Sequence, residues 1–322
     1  MTALTISRRR VAVPDWLVQH GGLLAVLVSV CLYLSVSTEV FATTPNIINV
    51  LRQVAVIGVL AAGLTLLMAS GGLDFSLGSQ VAVITAVAAQ LIANGTSTPV
   101  AMVCGLALGA VFGLVNGFVI TFFGVAPFVT TLATATILDG VALVAMQGQA
   151  ISISDQLTWL GTGEVLGLPL LLVIAGVVCA AAAVVLRWTR FGRDALAIGG
   201  NHVAARLGGI AVMRHTISLY VLNGVLAGVA AIMLLSRLGA ASPGTAGLHL
   251  ELTVVAAVVI GGTALYGGSA TVLGTVLGVV LLGVVANGIN LLQIDSFYQP
   301  VSVGVVLLVA AIVNHLRHRS AH

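Results

Sequence analysis

Long runs of apolar residues that contain no charge constrain the fold of this chain more than any other feature. The run over residues 170–186, LLLVIAGVVCAAAAVVL, is typical of them. Its apolar residues do not alternate with polar ones, so it does not fit a strand of a transmembrane barrel. In a helix, about 20 such residues cross the hydrocarbon core of a bilayer. The sequence therefore predicts an all-α, polytopic membrane protein.

The 322 residues divide into about ten candidate spans. Hydrophobic residues make up 59% of the chain and charged residues only 7%, which excludes an ordinary soluble domain. The 38 glycines are expected at helix interfaces, where small residues let backbones approach closely. Two spans are short, and we expect them to be tilted, broken or partly re-entrant. The predicted spans are 20–36, 50–69, 79–93, 99–120, 127–145, 168–186, 215–236, 252–266, 271–288 and 299–314, and the short ones are 79–93 and 252–266.

The distribution of arginine predicts the orientation. With the N-terminus inside, only Arg52 and Arg237 fall on the outer side, and loops rich in arginine stay in the cytoplasm. We therefore expect both termini and the loop 187–214 to be cytoplasmic, in a bacterial inner membrane, with an N-terminal anchor that is not cleaved. The arginines predicted on the cytoplasmic side are Arg8, Arg9, Arg10, Arg187, Arg190, Arg193, Arg206, Arg214, Arg317 and Arg319.

The chain contains no lysine, since all 12 of its Lys and Arg residues are arginines. A phosphate-binding P-loop requires G-x-x-x-x-G-K-[ST], so an ATPase driving transport must be a separate polypeptide. We expect this chain to bind no cofactor, with ATP and magnesium used by that partner, and no nucleic acid. Cys31, Cys104 and Cys179 lie in apolar spans without paired spacing, which predicts neither disulfides nor a zinc site.

The basic loop 187–214 contains the pattern of a short helix. Asn201 is a favourable N-cap, since its side chain can accept hydrogen bonds from otherwise unpaired amides. Residues 199–200 are both glycine and predict the turn into this helix, and the glycines at 208–209 predict its end.

Val203, Leu207 and Ile210 follow at i, i+4 and i+7, which places an apolar stripe on one side of that helix. Arg206 lies beside the stripe and can reach a carboxylate on a partner. Such a stripe fits a groove on another protein. The alternative is a surface helix that rests on lipid headgroups.

Asp139 is the only acid well inside a predicted span. An intramembrane carboxylate is costly and usually faces a wet cavity or a partner. Three interpretations remain open at this stage. The carboxylate lines a solute pathway, it bonds to a neighbouring helix, or the span boundary is misplaced.

Other polar residues are candidates for the pathway but have simpler roles. Asp74 is expected to cap the helix that begins near Ser76, with contact to solute as the alternative. Asn116 and Asn287 are amides within spans, and hydrogen bonding between helices is their default role. Lining of the pathway is the alternative for both.

An internal echo links two distant segments. Residues 71–79 (GGLDFSLGS) and 261–269 (GGTALYGGS) share the spacing G-G-x5-G-S. Asn116 and Asn287 are each followed by glycine and, further on, by proline. Internal repeats are common in transporters. The two matching pairs are separated by different numbers of predicted spans, so a parallel repeat and an inverted repeat both remain open.

Four segments resemble motifs of the ribose/xylose-type permeases of ABC importers. Residues 191–210 resemble the FGR-x-x-x-A-x-GGN-x-x-AARLSGI signature, and residues 68–79 resemble ITGGIDLSVGS. Residues 113–134 resemble a G-x-x-NG-x-x-I segment that ends in PFIVTLGT. Residues 256–292 resemble an AAVVLGGTSL block that ends in NGLNLL. The resemblance extends from about residue 46 to 313, with the motifs in family order.

This resemblance implies a single transmembrane permease domain over residues 1–322, with residues 187–214 as its cytoplasmic coupling loop. It implies a second permease subunit, identical or a sister chain, a cytoplasmic ABC ATPase, an extracytoplasmic sugar-binding protein and a monosaccharide, ribose-like pentose foremost, as solute. The coupling helix carries over to Gly200, Asn201, Ala204, Ala205 and Arg206.

Two positions depart from the family pattern. His202 stands where many relatives have an acid after the asparagine, which we expect to alter the choice of ATPase. Asp139 precedes Gly140, where relatives often carry arginine. A branched-chain amino-acid-type ABC permease and an ion-coupled secondary transporter remain alternatives. The latter would require several in-membrane carboxylates or histidines. A membrane enzyme is a further class, but no catalytic cluster is visible.

Overall fold

The computed structural model describes residues 15–153, 155–243, 250–295, 298–305 and 308. Helices dominate this part of the chain, which confirms the predicted all-α class. The helices are α1 Asp15–Ser37, α2 Thr44–Ala69, α3 Leu77–Ala93, α4 Thr98–Phe122, α5 Pro127–Met146, α6 Thr158–Thr162, α7 Leu170–Trp188, α8 Arg190–Gly200, α9 His202–Leu207, α10 Val212–Leu238, α11 Leu250–Ile260 and α12 Val272–Leu291.

Four two-residue strands form two small antiparallel ladders. In the first, β1 (Ile151–Ser152) pairs with β4 (Ala240–Ala241). In the second, β2 (Glu164–Val165) and β3 (Leu168–Pro169) form a hairpin just before α7. Both ladders belong to the connections between helices.

The helix lengths agree with the predicted spans. In the described part of the chain, seven helices are long and apolar enough to cross a membrane, namely α1, α2, α4, α5, α7, α10 and α12. The helices α3 and α11 are apolar but shorter, as predicted for these two spans. Helix α11 ends at Ile260, earlier than expected, because Gly262 has a φ of +95° and turns the chain. Residues 298–305 are helical and belong to the last predicted span, most of which lies outside the described residues.

Helix α2 occupies the centre of the bundle. Its residues from Val54 to Ala69 are all buried, and it packs against α7, α10, α11 and α12. A helix that is apolar on every side is surrounded by lipid or by other helices, and from Val54 onward other helices surround α2. This central position fixes the end of α2, and with it the segment that leads to α3.

The closest helix pair is α4 with α10, and glycines make that approach possible. A Cβ atom on Gly109 would overlap the carbonyl oxygen of Gly224, and a Cβ on Gly224 would overlap that of Gly109. The predicted role of small residues at helix interfaces is confirmed here.

Two side-chain pairs join α2 to α12 through polar groups. Asn46 and Asn287 exchange two hydrogen bonds, with N–O distances of 3.1 and 2.8 Å. Near the other end of the same two helices, the hydroxyls of Thr65 and Thr275 lie 2.8 Å apart. Asn287 therefore has the interhelical role that its position favours.

The bundle has two distinct ends. The α9 end contains α8, α9 and the loops that follow α2, α4 and α11, and the amide of Gly268 donates to the carbonyl of Ala69 there. The strand end contains the two ladders, and Arg52 there donates to the carbonyl of Thr162 at 3.1 Å. Arg237 reaches Asn49 at the same end.

Charge differs between these ends as the orientation prediction requires. Five described arginines lie at the α9 end, and Arg52 and Arg237 lie at the strand end. The five are Arg187, Arg190, Arg193, Arg206 and Arg214. The remaining arginines, Arg8, Arg9, Arg10, Arg317 and Arg319, and both termini lie outside the described residues.

Candidate functional site

The basic loop folds into two helices instead of one. Thr189 caps α8 by accepting a hydrogen bond from the amide of Gly192. Asn201 caps α9, since its side-chain oxygen accepts from the amides of Val203 and Ala204 at 3.0 and 2.9 Å. The predicted cap of the short helix is therefore confirmed.

The glycines on either side of α9 behave differently from each other. Residues 208–209 end the helix as predicted, and Gly209 has a φ of +87°. The predicted turn at Gly199 and Gly200 is wrong, because both residues belong to the last turn of α8. The chain turns at Asn201 instead, which has extended backbone angles.

Only part of the predicted apolar stripe faces outward. Val203 and Leu207 are 67% and 84% exposed. The prediction that Ile210 belongs to this stripe is wrong, because Gly209 ends the helix before Ile210 and turns the chain back. It packs instead against the buried side chains of Ile198 and Ala205.

The other coupling residues divide between an outer and an inner side of α9. Ala204 is exposed, whereas Ala205 is buried against α8 and α10. His202 and Arg206 line a cavity of about 390 Å³ between α9, the α4–α5 connection and α10. The remaining lining residues are Ser70, Gly71, Gly72, Ile120, Thr121, Gly124, Pro127, Ile198, Val212, Met213, Thr216 and Tyr220.

Among the described residues that line this cavity, none is acidic. Within the described ranges, Arg206 also takes part in no salt bridge. A basic cleft beside two exposed apolar side chains fits a partner surface that offers a carboxylate next to an apolar groove. These are the features that a docking surface for another protein requires.

A second group of polar residues lies inside the bundle around Asp74. The Asp74 carboxylate is fully buried and accepts four hydrogen bonds. They come from the amide and hydroxyl of Ser76, from Gln80 at 3.3 Å and from Asn223 at 3.0 Å. The N-cap residue of α3 is Ser76 and no side chain caps this helix, so the predicted capping role of Asp74 is wrong. Its carboxylate instead accepts from the Ser76 amide in the turn before α3 and ties this segment to α10.

The position of Asn223 shows how deep this group lies. Asn223 comes 11 residues after the start of α10 at Val212, which is about 16 Å at roughly 1.5 Å per residue. The segment 70–76 therefore folds back into the bundle, and α3 begins inside it. This explains why α3 is short.

Asn116 extends the group toward α5. Its amide nitrogen donates to the hydroxyl of Ser76 at 2.9 Å, and its oxygen accepts from Thr134 at 2.7 Å. Asn116 is fully buried, so in this conformation it joins α4 to α3 and α5 and lines no open pathway. We call Asp74, Ser76, Gln80, Asn116, Thr134 and Asn223 the Asp74 cluster.

Asp139 has a different environment. It lies inside α5, 12 residues after Pro127, so the interpretation of a misplaced boundary is wrong. It is half-buried, and among the described residues no hydrogen bond or salt bridge reaches its carboxylate. Bonding to a helix of the same chain is therefore not observed. Thr136 and Gly140, on the same side of α5, are exposed.

Several residues of these sites escape recognition in the sequence. Gln80 and Thr134 join the Asp74 cluster from α3 and α5, and the Tyr220 hydroxyl donates to the Leu73 carbonyl at 2.9 Å. Polar residues at helical spacing in an apolar run are their only signal. Tyr266, 91% exposed at the α9 end, is marked only by its place in a glycine-rich turn.

Comparison with known proteins gives matches over nearly the whole chain. The family described as "Branched-chain amino acid transport system / permease component" matches residues 46–313. The ribose import permease protein of Escherichia coli (strain K12) is 39% identical over 320 residues, which are 98% of this chain and 99% of that protein. The corresponding protein of Bacillus subtilis (strain 168) is 39% identical over 310 residues, 95% of each chain.

A further relative is the L-arabinose ABC transporter permease protein of Azospirillum brasilense. It is 36% identical over 304 residues, which are 94% of this chain and 89% of that protein. No solved structure matches the chain.

The family match begins in the first turn of α2 and continues beyond α12. It includes the α8–α9 loop, the Asp74 cluster and α5. The resemblance that the four sequence motifs indicate is thereby confirmed. The chain belongs to this family of transport-system permease components and is a multi-pass membrane permease of an ABC importer.

Proposed function

We propose that the permease carries a monosaccharide, foremost a ribose-like pentose, that an extracytoplasmic binding protein delivers. The observation that carries this proposal is the similarity, over nearly the full length, to relatives named as ribose and L-arabinose permeases. The sequence AARLGGI over residues 204–210, which includes the end of α9 and the turn after it, also agrees with a sugar permease. The branched-chain amino-acid alternative has only the family description in its favour.

Coupling to an ATPase is the second part of the proposal. The α9 end offers Val203, Leu207 and the basic cleft of Arg206 to a cytoplasmic subunit that hydrolyses ATP with magnesium. This chain catalyses no hydrolysis itself, because without lysine it has no P-loop. An ion-coupled mechanism has less support, since it would require more ionisable groups at membrane depth than Asp74 and Asp139 offer.

The orientation follows from the charges of the two ends. Cytoplasmic ends of bacterial membrane proteins carry the excess of arginine. We therefore assign the α9 end, with five of the described arginines, to the cytoplasm and the strand end to the outer side of the inner membrane. Glu164 at the strand end is half-exposed and forms a salt bridge with Arg52 at 3.9 Å, so this pair offers a carboxylate but no net charge to the surface that receives the binding protein.

A second permease subunit completes the site around α5. In lipid, an unpartnered carboxylate such as that of Asp139 is strongly unfavourable. Thr136 and Gly140 lie beside it and leave room for close approach of another backbone. We assign this side of α5 to a solute pathway between two permease subunits, where the carboxylate accepts hydrogen bonds from sugar hydroxyls.

Reconstitution tests the solute and the source of energy. The permease, its ATPase and its binding protein are placed in proteoliposomes with labelled D-ribose, D-xylose or L-leucine. We expect ATP-dependent uptake of a pentose only when all three proteins are present, and no hydrolysis by the permease alone. Uptake of leucine but of neither pentose would support the amino-acid alternative.

Docking is tested by the double variant Arg206→Glu and Leu207→Asp. A few buried anchors supply most of the affinity of a helix in a groove, at about 1–3 kcal/mol each. The ATPase should therefore be lost on copurification while the chain still inserts, pairs and receives the binding protein. Arg190→Glu, which changes an exposed arginine of α8 at the same end, is the matched control. Full recovery of the ATPase with the double variant would contradict the assignment.

A further inference from the structure

The two segments of the G-G-x5-G-S echo meet in space, although 190 positions separate them. The amide of Gly268 donates to the carbonyl of Ala69, two residues before Gly71, at 3.0 Å. A Cβ atom on Gly267 would lie 2.6 Å from the nitrogen of Gly71, so the backbones are in direct contact. Gly71 and Gly267 have φ angles of +82° and +86°, which favour glycine.

The end of α8 packs into the same place. A Cβ atom on Gly199 would overlap the carbonyl oxygen of Ala69 and the amide of Gly268, and would lie 2.9 Å from the Cα of Gly267. These neighbours are backbone atoms and cannot rotate away. Gly200, the next residue, has open space where its Cβ would be. The close approach is therefore specific to one side of α8.

The short helix α9 is held to this point through α8. Ile198 and Ala205 are 4% and 6% exposed, and with Val212 they form a small apolar cluster between α8, α9 and α10. Ile210 covers it. A displacement of α9 is thereby passed to α8, since close-packed apolar contacts resist separation.

We propose that Gly199 is a positioning residue for transport, which joins the coupling loop to the connections between α2 and α3 and between α11 and α12. The two connections and the end of α8 form one backbone junction, made of Ala69, Gly71, Gly199, Gly267 and Gly268. A movement of α9, passed on through α8, therefore shifts the adjoining ends of α2, α3, α11 and α12 together. Through the segment 70–76 the movement also reaches the Asp74 cluster. This inference rests on the proposed docking of an ATPase to α9.

The variant Gly199→Ala tests the junction, because its methyl group forces the three backbones apart. The exposed side of α9 is unchanged, so the ATPase should copurify at the wild-type level. Uptake of labelled pentose by the reconstituted complex should fall about tenfold or more, in the range of allosteric coupling. Hydrolysis of ATP should continue, so less sugar enters per ATP. The matched control is Gly176→Ala, a helical glycine of α7 with open space around it, which should keep full uptake.

Normal uptake by Gly199→Ala would overturn the proposal. Equal losses of uptake, ATPase recovery and thermal stability would also overturn it, because they would show a role in folding alone. If the wild-type complex moves no pentose, the proposed solute fails instead, and the ratio of transport to hydrolysis is then measured with the solute that it does carry.

A cross-link provides a second test that leaves the glycines in place. Ala197→Cys on α8 and Ser269→Cys after Gly268 are exposed positions, each within two residues of the junction. They are joined with a flexible bismaleimide after the three native cysteines are replaced by alanine. Uptake should persist after cross-linking, since the joined parts move together. Loss of uptake that depends on the cross-link would show that α8 and the α11–α12 connection must separate.

Discussion

Two carboxylates lie at membrane depth in this permease, and their surroundings are opposite. Asp74 is fully buried and accepts four hydrogen bonds, so its polar demand is met within the chain. Asp139 is half-buried on α5 and receives none from the described residues. A polar group whose partners are all internal holds helices together. One that lacks them at this depth requires water, solute or another subunit.

The first prediction has the largest expected effect and concerns the internal carboxylate. Asp74→Ala leaves the donors of Ser76 and Asn223 buried without an acceptor, whereas Gln80 keeps its bond to the Ser76 hydroxyl. Each unmet buried donor costs about 1–3 kcal/mol, so we expect the purified permease to lose roughly 3 kcal/mol or more of stability. Thermal unfolding in detergent measures this loss. Asp139→Ala is the control, and a melting temperature for Asp74→Ala equal to that of the wild type would remove the distinction.

The second prediction concerns a variant that should lose transport activity but keep its stability. Asp139→Ala should retain the wild-type melting temperature but lower pentose uptake about tenfold, since a hydrogen bond to a charged group contributes about 1.5–3 kcal/mol. Asp139→Glu should restore part of the uptake, because it keeps the carboxylate. A stable Asp139→Ala permease with normal uptake would remove this residue from the pathway.

The smallest expected effect comes from two threonines on α5. Thr134→Val removes the hydrogen bond to Asn116 at the edge of the Asp74 cluster and should cost about 1 kcal/mol of stability. Thr136→Val should cost almost nothing, because in the described part of the chain its exposed hydroxyl bonds only to the carbonyl of Leu132 in its own helix. Unfolding in denaturant compares the two variants. Equal losses would mean that the two sides of α5 are not distinct.

The sequence predicts much of the fold because apolar length and arginine position are local properties. The spans, the two short helices and the cap at Asn201 all follow from neighbouring residues. The end of α9 at Leu207 is equally local, since Gly208 and Gly209 mark it. The place of Ile210 is not, because it depends on the turn at Gly209 and on contacts with Ile198 across the loop.

The partners of the polar residues lie beyond what one sequence shows. Asp74 and Asn223 are 149 positions apart, and nothing near either residue indicates the other. Gly199 and Gly200 look equivalent in the sequence and predict a turn, yet they end a helix, and only at Gly199 would an added Cβ atom overlap another backbone. The rotation of each helix about its own axis decides which polar side chain forms a hydrogen bond and which one faces a cavity. Long apolar runs specify this rotation only weakly.

The reciprocal pair of Asn46 and Asn287 has a consequence for how α2 and α12 find a single alignment. Two helices made largely of valine, leucine, alanine and glycine could slide past each other with little change in van der Waals energy. A slip by one turn would move the two buried amides apart and break both hydrogen bonds between them, which is unfavourable. The pair thus selects one register among many near-equal packings, as a buried asparagine does in a coiled coil.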